Sequence, residues 1–232
     1  MTSNGDRVRT PRLAAVLFDM DGLLVDSEPV WTVAETELAQ RHGSEWSLEL
    51  KQAILGTSLT EAVPRMLAHF GAEGEDPAEV AQWMLTRMAE LFRGALPLRP
   101  GALRLLDELR DAGVPLALVS SSYRVLVDAV LDELGASRFA VTVAGDEVTR
   151  TKPHPEPYLT AAARLGVPPQ RCVVLEDSWS GVRSGEAAGC IVVAVPDLAP
   201  IEAAPDRPVL TSLEDVELDW LLDLPARLRA AG

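Results

Sequence analysis

Four polar signals stand at the ends of apolar runs, or in the loops beyond them, in this 232-residue chain. The first is Phe18-Asp19-Met20-Asp21-Gly22, which continues as Leu23-Leu24-Val25-Asp26-Ser27-Glu28. The second is Ser120-Ser121-Ser122. The third is Lys152 within Thr151-Lys152-Pro153-His154-Pro155, and the fourth is Glu176-Asp177-Ser178. Asp19, Glu176 and Asp177 offer the hard oxygen ligands that Mg²⁺ takes. Gathered without a cation, these carboxylates would repel one another and their pKa values would rise. A lysine and hydroxyls beside them suit a phosphate, because Mg²⁺ commonly bridges carboxylate and phosphoryl oxygens. Asp19 can act as a nucleophile that takes up the phosphoryl group. Asp21, two residues on, can give a proton to the leaving alkoxide and later take one from water.

Each signal has a bland reading when taken alone. An isolated Asp-x-Asp is often a turn, a serine run a helix cap, a lysine a surface charge, and a Glu-Asp pair a solvated loop. The four in this order, each tied to an apolar run, point to one site instead. Lysine usage adds weight. Of 21 basic residues only Lys51 and Lys152 are lysines, so Lys152 marks a need for a compact ammonium on a flexible stem. Lys51 carries no such signal and is read as chance retention.

The elements that must position these residues follow from periodicity. Short apolar runs at 13–18, 114–119, 139–144, 172–175 and 191–195 suit strands buried on both faces. Between them lie helical patterns. Leu103, Leu106 and Leu109 recur within 101–112, and Leu126, Val127, Val130, Leu131 and Leu134 share a face within 122–134. Residues 156–165 and 179–188 are shorter helices closed by Gly166 and Gly189. The alternation predicts an α/β fold, a doubly wound and mainly parallel sheet. Ligands of such sheets bind beyond the carboxyl ends of the strands, where all four signals would converge.

From about Ser27 to Leu96 the rhythm breaks and no buried strand is predicted. Ser58 with Glu61, and Asp76 with Glu79, have capping-box spacing, and Pro77 suits a first helical position. Val80, Met84, Met88 and Leu91 form a helical stripe, while Pro64 is expected to bend or restart the helix after Ser58. The predicted organisation is a Rossmann-like core of residues 12–26 plus 97–232, a helical insert at 27–96, and a loose tail at 1–11.

Composition narrows the function classes. Apolar residues are 47% and charged residues 24%, as in globular proteins. With 35 acidic against 21 basic residues the net charge is -14. Such a chain repels phosphate backbones and anionic lipid, so neither nucleic acid nor membrane is expected as a partner. No apolar stretch approaches the ~18 residues of a membrane span. Cys172 and Cys190 each head an apolar run and read as small core hydrophobes. His42, His69 and His154 show no metal-ligand spacing. A cytoplasmic monomer is the expectation.

With its motifs in this order, the chain resembles the haloacid dehalogenase superfamily of phosphohydrolases over roughly residues 12–215. FDMDGLLVDSEPVW is similar to the family's first motif. This implies Asp19 as nucleophile, Asp21 as general acid and base, and the backbone carbonyl of Asp21 as a metal ligand beside Asp19, Glu176 and Asp177. Ser120 resembles the second motif's phosphate-binding hydroxyl, with the following backbone N–H groups from Ser121 assisting. Lys152 resembles the third motif, and Glu176 with Asp177 the acidic fourth. The resemblance implies a Mg²⁺ cofactor, a Rossmann-like core and an α-helical C1 cap. Together with TKPHPEPYL, the first motif is most similar to 2-deoxyglucose-6-phosphate and hexitol phosphate phosphatases.

The implied activity is Mg²⁺-dependent hydrolysis of a small phosphorylated metabolite, a sugar or polyol phosphate, through an aspartyl-phosphate. Glu28, Trp31, Gly56, Thr57 and Ser58 are the candidate substrate contacts of the cap. Trp31 suits the cap's own core as well, and Glu28 suits a helix cap. The alternative is a sugar phosphomutase similar to β-phosphoglucomutase. The His and Arg of the mutase cap are matched here by Trp31 and Leu59, which weakens that alternative. A dehalogenase needs neither Asp21 nor the acidic fourth motif. A phosphonatase needs a cap lysine for Schiff-base chemistry, and Lys51, the candidate, lacks a matching motif.

Overall fold

A computed structural model describes residues 13–54 and 56–231; the tail expected at 1–11 lies outside the described residues. Strands β1 (Ala15–Phe18), β2 (Leu116–Val119), β3 (Val141–Val143), β4 (Cys172–Glu176) and β5 (Ile191–Ala194) form one sheet in the order β3-β2-β1-β4-β5. Every pairing is parallel. The α/β fold is therefore the predicted one. Each position of β1, β2 and β4 is buried, which is why their sequences are continuous apolar runs rather than alternating ones. The chain winds outward from β1 in both directions. The carboxyl end of β1 is thus the switch point where such sheets open a crevice.

The helices are α1 (Glu28–Arg41), α2 (Leu48–Ile54), α3 (Leu59–Phe70), α4 (Pro77–Gly94), α5 (Ala102–Asp111), α6 (Arg124–Leu134), α7 (Glu156–Leu165), α8 (Trp179–Ala187) and α9 (Leu218–Ala231). The chain divides into two compact units. One comprises the chain up to Val25, Leu98–Ser122 and Leu134 onward; the other comprises Asp26–Pro97 and Tyr123–Glu133. The second unit thus also takes in most of α6, where Asp132 meets Arg93 of α4 at 3.1 Å.

In the sheet unit, Leu17, Val119, Tyr158, Val174 and Ala194 belong to one buried cluster. Cys172 and Cys190 join it as free thiols. Burial pushes their pKa values up to about 11 and about 12, so both are protonated packing groups at neutral pH. Helix α5 departs from the predicted face. Ala102, Leu105, Leu106 and Leu109 are buried while Leu103 is 40% exposed. The spacing-three series drifts around the cylinder, whereas i, i+3, i+4, i+7 keeps to a stripe ~100° wide.

The helical unit has its own core, including Leu38, Leu50, Val63, Met66, Leu67 and Met84, with Trp31 packed against it. Of the two outcomes expected at Pro64, a bend or a restart, the restart does not occur: α3 runs through Pro64. Pro64 lies on the exposed side, between buried pairs Ala62–Val63 and Met66–Leu67. Burial of that stripe offsets the hydrogen bond that the proline forgoes. At the start of α3 the Glu61 carboxylate accepts from the Ser58 N–H at 3.1 Å and the Ser58 hydroxyl at 2.9 Å. In α4 the buried stripe is broader than predicted: Leu85 and Ala89 join Val80, Met84 and Met88, which moves its centre towards Phe92 and leaves Leu91 at its margin.

Lys51 is not a chance survivor. Its ammonium donates to Glu28 and to buried Glu35, each at 2.9 Å, and so ties α2 to α1. Burial pulls the Lys51 pKa down, but its bonds to Glu35 and Glu28 outweigh that and the net shift is upward. No helix among the described residues is long and apolar enough to cross a membrane.

Candidate active site

The site grows from the carboxyl ends of β1, β2 and β4. Asp19 follows β1 directly, and its N–H extends the ladder to the Leu175 carbonyl at 3.1 Å. Ser120 follows β2 and is 1% exposed. Glu176 is the last residue of β4 and is fully buried. Lys152 reaches the same point from the loop before α7. Its Nζ donates to the Val119 carbonyl at 2.9 Å, to Glu176 Oε1 at 2.6 Å and to Asp19 Oδ1. All three N–H bonds of the ammonium are thereby used.

Glu176 is held on both oxygens. Oε1 accepts from Lys152 and from the Tyr158 hydroxyl at 2.7 Å. Oε2 accepts from the Asp177 N–H at 3.1 Å, the Ser178 N–H at 3.3 Å and the Ser178 hydroxyl at 3.1 Å. Gly181, in the first turn of α8, makes room for this carboxylate: a Cβ there would lie 1.7 Å from Oε1. Gly22 does the same for Asp177. It has φ +82°, and a Cβ on it would lie 2.2 Å from Asp177 Oδ2.

Asp21 sits differently. Its Oδ2 accepts from the Ser120 hydroxyl at 3.1 Å and the Ser122 hydroxyl at 2.8 Å. Its Oδ1 is buried and has no hydrogen-bond partner among the described residues. An acceptor left unpaired in a buried position costs free energy, on the order of 1–3 kcal/mol, unless something else occupies it.

The electrostatics favour a cation. Asp19, Glu176 and Asp177 each offer an oxygen, all within 4.8 Å of one another. Burial, then repulsion from Glu176, pushes the Asp19 carboxyl up to about 7 against the pull of Lys152. Burial, then Asp19 and Glu176, pushes Asp177 up to about 10. Lys152 is held well above its ordinary value because Asp19 and Glu176 outweigh the cost of its burial. One ammonium against three carboxylates leaves negative charge uncompensated. This all-oxygen donor set therefore fits a hard divalent cation.

Residues 13–189 match the family model of the haloacid dehalogenase-like hydrolases, three quarters of the chain and every strand but the last. The chain belongs to that family. Hexitol phosphatase B of Escherichia coli K12 is 34% identical over 222 residues, covering 94% of the hydrolase and 97% of that relative. Hexitol phosphatase A of the same organism is 39% identical over 188 residues, covering 79% and 83%. The crystal structure of β-phosphoglucomutase from Clostridium difficile superposes with a TM-score of 0.76 over 94% of the hydrolase and 99% of that chain. At 22% identity that likeness concerns the fold alone. The hydrolase is a phosphatase, acting on phosphoric monoesters.

Of the residues singled out in its sequence, Asp19, Asp21, Ser120, Lys152, Glu176 and Asp177 come together at one sheet edge. Ser121 is exposed beside them. Glu28, Trp31, Gly56, Thr57 and Ser58 belong to the helical unit. There Glu28 pairs with Lys51, Trp31 packs on the core, the Thr57 hydroxyl donates to the Ile54 carbonyl at 2.7 Å, and Ser58 is engaged by Glu61. Lys51, protonated and paired, offers no free amine for Schiff-base chemistry. Sequence reasoning missed three participants. Ser122 was present in the serine run and Tyr158 in TKPHPEPYL, but nothing singled them out. Asp197, paired with Arg99 at 2.8 Å, adds to the repulsion on Asp177 and had no local signal at all.

Proposed function

We propose that the hydrolase cleaves a small sugar or polyol phosphate with Mg²⁺, through an aspartyl-phosphate on Asp19. An Asp19 carboxylate oxygen attacks phosphorus, the ester P–O bond breaks, and the departing alkoxide takes a proton from the Asp21 carboxyl. Asp21 then takes a proton from water, whose oxygen attacks phosphorus, so that inorganic phosphate leaves and Asp19 is regenerated. The Lys152 N–H now aimed at Asp19 and the Ser120 hydroxyl now given to Asp21 would turn to phosphoryl oxygens when the ester binds. Asp19 and Asp177 would hold the Mg²⁺, with Glu176 behind them, and the ion would offset the charge of the phosphoryl group. The helical residues 27–96 would act as a cap that excludes water and selects the leaving group.

The observation that carries the proton-transfer role is the state of Asp21. One oxygen is fixed by two serine hydroxyls, and the other is buried with nothing among the described residues to accept from. This is the arrangement of a group that exchanges its proton with an atom brought by the substrate. Asp21→Asn is therefore expected to cut kcat/KM by about 10²–10³-fold on an alkyl phosphate and much less on p-nitrophenyl phosphate, whose leaving group needs no proton. Equal losses on the two esters would remove the acid role.

The crowded carboxylates make Mg²⁺ a stabiliser whose effect depends on pH. Asp19 and Asp177 have folded-state pKa values raised above their ordinary 3.8. Without metal, the stability they contribute is complete below the unfolded value and is lost as pH rises through about 7 for Asp19. Mg²⁺ takes the place of those protons. Its increment to Tm should be small near about pH 5 and larger near about pH 8, measured against EDTA. An increment independent of pH would contradict this assignment.

The substrate class rests on the hexitol phosphatase relatives. A phosphate-release screen over sugar and polyol phosphates with Mg²⁺ tests it. Release from hexitol phosphates is the expected result. Turnover that depends on a sugar bisphosphate and frees no phosphate would overturn it.

A further inference from the structure

We propose that Tyr158 is a positioning residue of this phosphatase: its hydroxyl and ring hold Glu176 and Lys152 so that the Lys152 ammonium is aimed at Asp19. The inference rests on the catalytic reading above and extends it to a residue with no chemistry of its own.

Tyr158 lies in the first turn of α7 and is 0% exposed. Its neighbours in the cluster are apolar, among them Leu17, Val119, Val174 and Ala194. A phenylalanine would fill the same volume there without a hydroxyl to satisfy. Burying a phenol is favourable only where the O–H finds a partner. Here the partner is a carboxylate: the hydroxyl donates to Glu176 Oε1 at 2.7 Å. The same oxygen accepts from Lys152 Nζ at 2.6 Å, and Nζ lies 5.0 Å from the centre of the Tyr158 ring. Tyr158 therefore touches the lysine twice, through the shared oxygen and through its π face.

The geometry leaves Lys152 little freedom. One N–H goes to the Val119 carbonyl and one to Glu176, and the third points at Asp19. Glu176 Oε2 is fixed separately by Asp177 and Ser178. The Tyr158 hydroxyl is the donor, besides Lys152 itself, that holds Oε1. Without it, Oε1 has only the ammonium to accept from, and the ammonium is drawn from Asp19 towards Glu176. The hydroxyl thus partitions the lysine's charge between an anchoring carboxylate and the nucleophile.

The test is Tyr158→Phe, which keeps the ring and its packing and removes one oxygen. The chain has only two lysines, so ¹⁵N-lysine labelling gives one Nζ signal each for Lys51 and Lys152. We expect the Lys152 ¹H–¹⁵Nζ signal to move in Y158F while that of Lys51 stays in place, with kcat/KM on the best phosphate ester down about tenfold. The loss should fall on kcat more than on KM, with Tm nearly unchanged. A Lys152 signal that does not move, or an additive loss when Y158F is combined with Glu176→Gln, would overturn the proposal. The Nζ signal is read without substrate. A phosphatase reading that fails, with no turnover by the wild type, is therefore distinguishable from a positioning role that fails.

Discussion

Asp19→Asn is expected to lower phosphate release by at least about 10⁴-fold while the protein stays folded. An amide nitrogen or oxygen is a poor nucleophile towards phosphorus, and no other described carboxylate is placed to take over. Asp21 is pinned by two serine hydroxyls and Glu176 is saturated on both oxygens. The fold should tolerate the change. Asn keeps the volume of Asp, its carbonyl oxygen still accepts from Lys152, and one of three mutually repelling carboxylates is removed. Steady-state phosphate release and thermal denaturation on the same preparation check both halves. Near-normal turnover would refute the nucleophile assignment.

Lys152→Arg should cost about 10²–10³-fold in kcat/KM although the charge is kept. The site uses lysine as a compact three-way donor: carbonyl, anchoring carboxylate and nucleophile lie around the one nitrogen of a side chain that is 5% exposed. A planar guanidinium presents its donors in a fork, and it is bulkier than the ammonium whose nitrogen lies 5.0 Å from the centre of the Tyr158 ring. It cannot satisfy the Val119 carbonyl, Glu176 and Asp19 together. Unchanged kinetics would show that only the charge matters. The strong preference for arginine elsewhere in the chain makes this substitution informative, since an ordinary surface lysine here would tolerate it.

The fold and the site were legible in the sequence to different depths. Strands buried on both faces write themselves as continuous apolar runs, so β1, β2 and β4 stand out from LAAVLF, VPLALV and CVVL. In a parallel sheet the residues just past such runs collect at one edge, and so Asp19, Ser120, Glu176 and Asp177 group together from the sequence alone. Lys152 was found by its rarity. What stayed hidden depends on contacts across the chain. Tyr158 looks like an ordinary helical aromatic until Glu176, eighteen residues on, accepts its hydroxyl. Lys51 looks idle until α1 brings Glu28 and Glu35 to it. The face of α5 and the passage of α3 through Pro64 without a restart are hidden for a related reason. Both turn on which side of a helix is buried, and neither a spacing of three nor a lone proline decides that.

In the proposed reaction, phosphoryl transfer passes through Asp19. It is tested most directly by acid-quenching the enzyme during turnover with Mg²⁺ and a phosphate ester, then mapping the peptides by mass spectrometry. The expected result is an acid-stable, hydroxylamine-sensitive phosphoryl group on Asp19, and none when Asp19→Asn is quenched in the same way. A phosphoryl group on another residue, or steady turnover with no trapped phosphoenzyme even when Asp21→Asn slows the second step, would contradict it.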